Sequence, residues 1–85
     1  MRLDLVLCRL RFTKTRSLAR SLIEAGHLRV NGQRTFHASH AVAAGDVLTI
    51  PRPRDVLIVE ILRLPERRGP AQEAQSCYRV LDPNG

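Results

Sequence analysis

Tryptophan is absent from this chain, tyrosine occurs once and phenylalanine twice. So few rings argue against a stacking platform that reads several single-stranded bases. Cysteine is nearly as scarce. Cys8 and Cys77 lie almost a chain length apart, which builds neither a disulfide framework nor a zinc ribbon, so both read as small apolar core residues. No apolar run approaches the ~20 residues needed to span a bilayer. Asp4, Arg9 and Arg11 interrupt the only apolar stretch near the start, which excludes a secretory signal there, and a cytoplasmic location with no membrane partner is expected.

The groupings that catalysis requires are also missing. His37 and His40 have H-x-x-H spacing but no third ligand beside them, and His27 stands apart, so solvated loop histidines explain them better than a metal site. Ser17, Ser39 and Ser76 lack a recognisable nucleophile elbow or base. No Gly-rich phosphate loop occurs. The chain is therefore expected to be no enzyme, with no cofactor, metal or small-molecule substrate.

What remains is 85 residues of ordinary globular composition, 44% hydrophobic and 26% charged, enough for one small domain. Leu3, Val6, Leu7 and Leu10 make the stripe of a helix over about residues 2–11. Thr13 or Thr15 can cap a second helix over about 15–25, which should bury Leu18, Ala19, Leu22 and Ile23 and stop at Gly26. From His27 the period changes to two, and Asn31-Gly32 is a strong hairpin signal, with a return strand over 33–36. Residues 37–44 read as irregular. Val47–Ile50 and the run 56–64 read as strands, separated by Pro51 and Pro53. After the loop 65–69, Pro70 opens a last helix with Ala71, Ala74, Cys77 and Tyr78 on one face, and Asp82–Gly85 is a frayed end. The fold class is α+β: a two-helix corner packed on a small, mostly antiparallel four- to five-stranded sheet, with a short C-terminal helix. Residues 1–54 form the core and 55–85 complete the same single domain.

Charge is the least ordinary feature. Fourteen Lys+Arg against eight Asp+Glu give +6, and Lys14 is the single lysine. Residues 1–54 hold ten cations and three acids, net +7, whereas residues 55–85 hold four and five, net −1. A genome rich in GC puts Arg in place of Lys, but it does not remove acids from one half of a chain. Arg16 and Arg20 are helical neighbours, Lys14 precedes them, and Arg29 and Arg34 flank the Asn31-Gly32 turn. Such a cluster at a helix start suits phosphate oxygens. The residues alone leave three readings open: a structured-RNA binder, a helix-turn-helix DNA binder, or a protein adaptor kept soluble by its charge.

Taken together, Arg2-Leu3-Asp4, Thr15-Arg16-Ser17 with Ala19-Arg20, Leu22-Ile23 and Gly26, then Val30-Asn31-Gly32 and Gly45-Asp46, resemble the S4 RNA-binding domain over about residues 1–50. Leu64–Ala71 with Glu73, Ala74 and Tyr78 extends the resemblance toward a ribosome-associated heat-shock branch of that family. The resemblance implies binding of ribosomal or transfer RNA, with the large ribosomal subunit as a candidate partner, and the chain is expected to be a monomer. By matching positions it implies Arg2, Lys14, Thr15, Arg16, Arg20, Asn31 and Arg34 as RNA-facing residues, and Arg29 joins them from its place beside the hairpin turn. Leu3, Leu7, Ala19, Leu22, Ile23, Gly26, Val30, Gly32 and Gly45 would be structural, with Asp46 holding its turn.

Overall fold

The computed structural model describes residues 1–81. Helix α1 (Leu3–Arg9) and helix α2 (Arg16–Glu24) pack against each other and against one face of a sheet. The sheet comprises β1 (Arg29–Val30), β2 (Gln33–Arg34), β3 (Val47–Pro51), β4 (Val56–Ile61) and β5 (Tyr78–Leu81), with a short helix α3 (Ala71–Gln75) before the last strand. All its pairings are antiparallel and the order is β2-β1-β3-β4-β5.

Both leading helices end in the same way. The N–H of Phe12 reaches back to the Leu7 carbonyl at 2.9 Å and that of Arg11 to Cys8 at 3.1 Å. At the end of α2, His27 bonds Leu22 and Gly26 bonds Ile23. This double closure needs a left-handed residue. Gly26 supplies it at φ +82° without penalty, whereas Arg11 adopts φ 67° at a cost of about 1 kcal/mol. Arg11 is held there by its own side chain, whose Nε donates to the Gly69 carbonyl at 2.9 Å. Arg9 donates to Pro65 O and Arg68 to Cys8 O. Three guanidiniums thus fasten the loop 65–69 to the end of α1.

The core follows from strand alternation. Val30, Leu48 and Val59 stand in one register row, and with Leu28, Ile50 and Ile61 they meet Leu3, Val6, Leu7, Leu10, Ala19 and Ile23. The opposite face carries Arg29, Thr49 and Ile58 in register. The segment 37–44 is ordered by pairing with the N-terminus: Leu3 N–H donates to His40 O, Asp4 N–H to Ala38 O, and Val42 N–H to Met1 O.

Three expectations need correction. Leu18 is 52% exposed, because α2 docks through a stripe of Ala19 and Ile23 with Leu22 half-buried, too narrow to reach Leu18. The last helix stops at Gln75, and Tyr78 begins a strand that pairs with Ile61. The run 56–64 leaves the sheet after Ile61. The expected frayed end, Asp82–Gly85, lies outside the described residues.

The Asn31-Gly32 turn has a built support. Asn31 sits at φ 52°; its Oδ1 accepts from Val47 N–H at 2.9 Å and its Nδ2 donates to Asp46 Oδ1 at 3.2 Å. Asp46 in turn accepts from Ala43 N–H at 2.9 Å. Asn31→Ala loses both side-chain bonds and strains the left-handed backbone, so it should lower stability by about 1–2 kcal/mol. Asn31→Gly should lose less, since it relieves the backbone, and urea denaturation of the two variants separates the contributions.

Candidate functional site

Asp4 is the centre of the basic corner. Its side chain is fully buried at 0% exposure, and both carboxylate oxygens are filled. Arg2 donates Nε to Oδ1 at 3.1 Å and Nη2 to Oδ2 at 3.2 Å. Arg16 donates Nε to Oδ2 at 3.0 Å, and the Leu5 N–H reaches Oδ1 at 2.8 Å. Burial pushes the Asp4 carboxyl up, but the hydrogen bonds from Arg2 and Arg16, the Arg16 charge and the Leu5 amide outweigh it, leaving the group below its ordinary value. The two arginine side chains remain half-exposed, at 44% and 47%. Arg16 therefore spends Nε on Asp4, and its Nη1 and Nη2 have no protein partner among the described residues.

The other residues singled out in the sequence fall into two groups. Thr15 and Asn31 are occupied locally: Thr15 Oγ1 accepts from Leu18 N–H at 3.1 Å and caps α2, and Asn31 braces its turn as described above. Lys14, Arg20, Arg29 and Arg34 are exposed. Arg20 lies 3.9 Å from Glu24 on the solvated side of α2, a separation at which an exposed pair contributes little. Arg29 Nη1 reaches only the Gly32 carbonyl, at 3.5 Å. Among the described residues Lys14 and Arg34 have no acidic partner within 4.0 Å.

Arg29 and Arg34 are directly opposite each other in the β1–β2 ladder, a like-charge pairing that is unfavourable without an anion. Helix α2 has no acid in its first turn and no base in its last, the reverse of what the helix dipole favours. The arrangement places Arg16 and Arg20 on α2, Lys14 just before its Thr15 cap, and Arg29 and Arg34 on the adjoining hairpin. The role of Asp4 was not singled out by spacing alone. Its signal is that it is one of only two acids before Asp46 and stands one residue from Leu3, at the edge of the α1 apolar stripe.

These features define a class. The S4 domain model matches residues 1–48, and the chain belongs to the S4 domain family. Over 82 residues it is 42% identical to the heat shock protein 15 homolog of Aeromonas salmonicida, covering 96% of this chain and 61% of that protein. Heat shock protein 15 of Escherichia coli K12 is 41% identical over 78 residues, covering 92% and 58%. Small ribosomal subunit protein uS4 of Akkermansia muciniphila is 46% identical over 50 residues, 59% of this chain and 25% of that one. The solved structure of Vibrio cholerae heat shock protein 15, described as trimeric, superposes with a TM-score of 0.89 at 40% identity, covering 95% of this chain and 81% of that chain. The chain thus spans about three fifths of the length of the heat shock protein 15 sequences it matches.

The Asp4 cluster sets an acid limit. Because the carboxyl titrates lower when folded than when unfolded, its contribution is complete above about pH 4 and is lost as pH falls through the lowered value. Asp4→Asn should cost about 1–3 kcal/mol at neutral pH. The difference from the parent chain should shrink as stability is followed by urea denaturation from neutral pH down into the acid range.

Proposed function

We propose that this chain binds structured RNA, ribosomal or transfer RNA, through the corner of α2 and the Asn31-Gly32 hairpin, without catalysing a reaction. The observation that carries this reading is the set of exposed cations Lys14, Arg16, Arg20, Arg29 and Arg34 on adjoining elements, where the nearby acids are Asp4, engaged by Arg2 and Arg16, Asp46, engaged by Asn31 and the Ala43 amide, and Glu24, 3.9 Å from Arg20. Membership of the S4 family supports it, as do relatives named as ribosomal proteins, which favour a ribosomal partner; the large ribosomal subunit belongs to the same proposal. Lys14, Arg20 and Arg34 contact phosphates directly, Arg16 and Arg2 through the donors that Asp4 leaves free, and Arg29 beside Arg34. Thr15 and Asn31 hold the backbone that presents them. Residues 1–54 carry the binding core and 55–85 complete the domain, supported by the pairing of β4 along the whole of β3. One chain supplies every cation the reading uses.

About six neutralised phosphates give a slope of roughly −4 to −5 in log affinity against log salt. Arg16→Glu is a poor probe, because it sets a carboxylate against buried Asp4. Replacing Lys14, Arg20 and Arg34 together by Ala removes no buried partner. That triple variant should keep its urea midpoint, weaken binding to ribosomal RNA at least tenfold and flatten the slope by about 2–3. Unchanged affinity and slope would dismiss this face. Preference for duplex DNA over folded RNA at matched salt would favour a DNA binder, and no RNA binding at low salt a protein adaptor.

A further inference from the structure

Phe36 is out of place by the ordinary logic of a small core. It is 53% exposed, while the other two rings of the chain are packed on each other, Phe12 and Tyr78 having centroids 4.8 Å apart at 56°. The position of Phe36 is nonetheless fixed. One edge of the ring lies against Gly26 so closely that a Cβ added there would stand 2.6 Å from Cε1. Gly26 thus meets two demands at once, a left-handed φ and a seat for this ring.

The surroundings say what the open part of the ring is suited to meet. Thr35 N–H donates to Leu28 O at 3.2 Å, so hairpin pairing runs one step past Arg29 and Arg34. Leu28 and Thr35 are buried, and His27, Arg29, Arg34 and Phe36 are exposed. Alternation therefore places Phe36 on the side of Arg34, two residues or about 7 Å along the chain. The stretch between Glu24 and Asp46 contains no carboxylate. An apolar protein partner would need a continuous apolar patch, whereas the other exposed residues of this hairpin side are His27, Arg29 and Arg34. Leu18, Val56, Leu62 and Val80, the other large apolar side chains left exposed, are aliphatic and offer no π-face.

We infer that Phe36 is the stacking site for one unpaired RNA base whose phosphate lies on the Arg29–Arg34 pair. The inference rests on the RNA-binding reading and deepens it: the module holds a nucleotide that has left its helix as well as a helical backbone. A base supplies the flat face the ring lacks, and its phosphate relieves the like-charge pairing beside it. The shortage of aromatics weighs against a platform for several bases, but one ring is sufficient for one.

The absence of tryptophan makes the test direct. Phe36→Trp creates a single-tryptophan protein, to be titrated with an eight-nucleotide oligoadenylate and with a blunt-ended RNA duplex, both fluorescein-labelled so that anisotropy reports binding. Emission of the new tryptophan should be quenched at saturation with the single strand and stay close to that of the free protein with the duplex. Phe36→Leu should bind the single strand about tenfold more weakly, the value of one stacked base, and the duplex within twofold of the parent. Unchanged emission at saturation, or equal losses on both RNAs, would overturn the stacking site. Failure of the parent chain to bind either RNA at low salt would instead overturn the RNA-binding reading. The tryptophan emission keeps the test decisive should Phe36→Leu fail to fold.

Discussion

A buried carboxylate decides how the two leading helices meet. Asp4 lies with no exposed side-chain surface, a position that is tolerable only when every lone pair is answered by a donor. The answer comes from both sides: Arg2 and the Leu5 amide beside it in the chain, and Arg16 at the first residue of α2. The contact with Arg16 fixes where α2 begins relative to α1, and hence where Lys14 and Arg20 are carried. Stability and surface charge are therefore built from the same atoms. Arg2 and Arg16 are counterions on their inner side and cations on their outer side.

A second group of arginines serves the fold in another way. Arg9, Arg11 and Arg68 donate to main-chain carbonyls of Pro65, Gly69 and Cys8. A carbonyl takes the hydrogen bond without cancelling the charge, so these residues still add to the positive field at a distance, although their donors are less free for direct contact. The ten cations of residues 1–54 thus divide into Arg2 and Arg16, paired with Asp4, Arg9 and Arg11, anchored to backbone, Arg52, paired with Asp55, exposed Arg54, and the exposed Lys14, Arg20, Arg29 and Arg34 at α2 and the hairpin. The RNA-binding reading uses the last group together with the outer sides of Arg2 and Arg16.

The parts of this architecture that read directly from sequence are local. The stripe Leu3, Val6, Leu7, Leu10 and the Thr15 cap lie within one or two helical turns, and Asn31-Gly32 carries its own turn geometry. Strand β5 is a different case. Ala71, Ala74, Cys77 and Tyr78 fit a helical face as well as they fit anything, and Tyr78–Leu81 becomes a strand because Ile61, Glu60, Val59 and Ile58 stand across from it, a long-range pairing that periodicity does not contain. Leu18 fails for a related reason. An apolar residue beside a stripe reads as part of it, and only the narrowness of the α1–α2 contact leaves it out. Among the site residues, exposed Lys14, Arg20, Arg29 and Arg34 follow from charge pattern, whereas the link from Asp4 to Arg16 joins residues 12 positions apart and waits on the fold.

The start of α2 shows why these charges are hard to explain as a solvated face. A helix N-terminus carries about half a positive charge, and each cation placed there costs some tenths of a kcal/mol, up to about 1. Stability alone would set an acid in the first turn, yet that turn has none and opens on Arg16, with Lys14 just before it. Asp4 neutralises one of them from below and leaves the outward side untouched. The cross-strand meeting of Arg29 and Arg34 repeats the same unfavourable choice on the adjoining hairpin. Two independent elements each hold a small electrostatic penalty facing outward, and a polyanion is the partner whose binding reverses the sign of both.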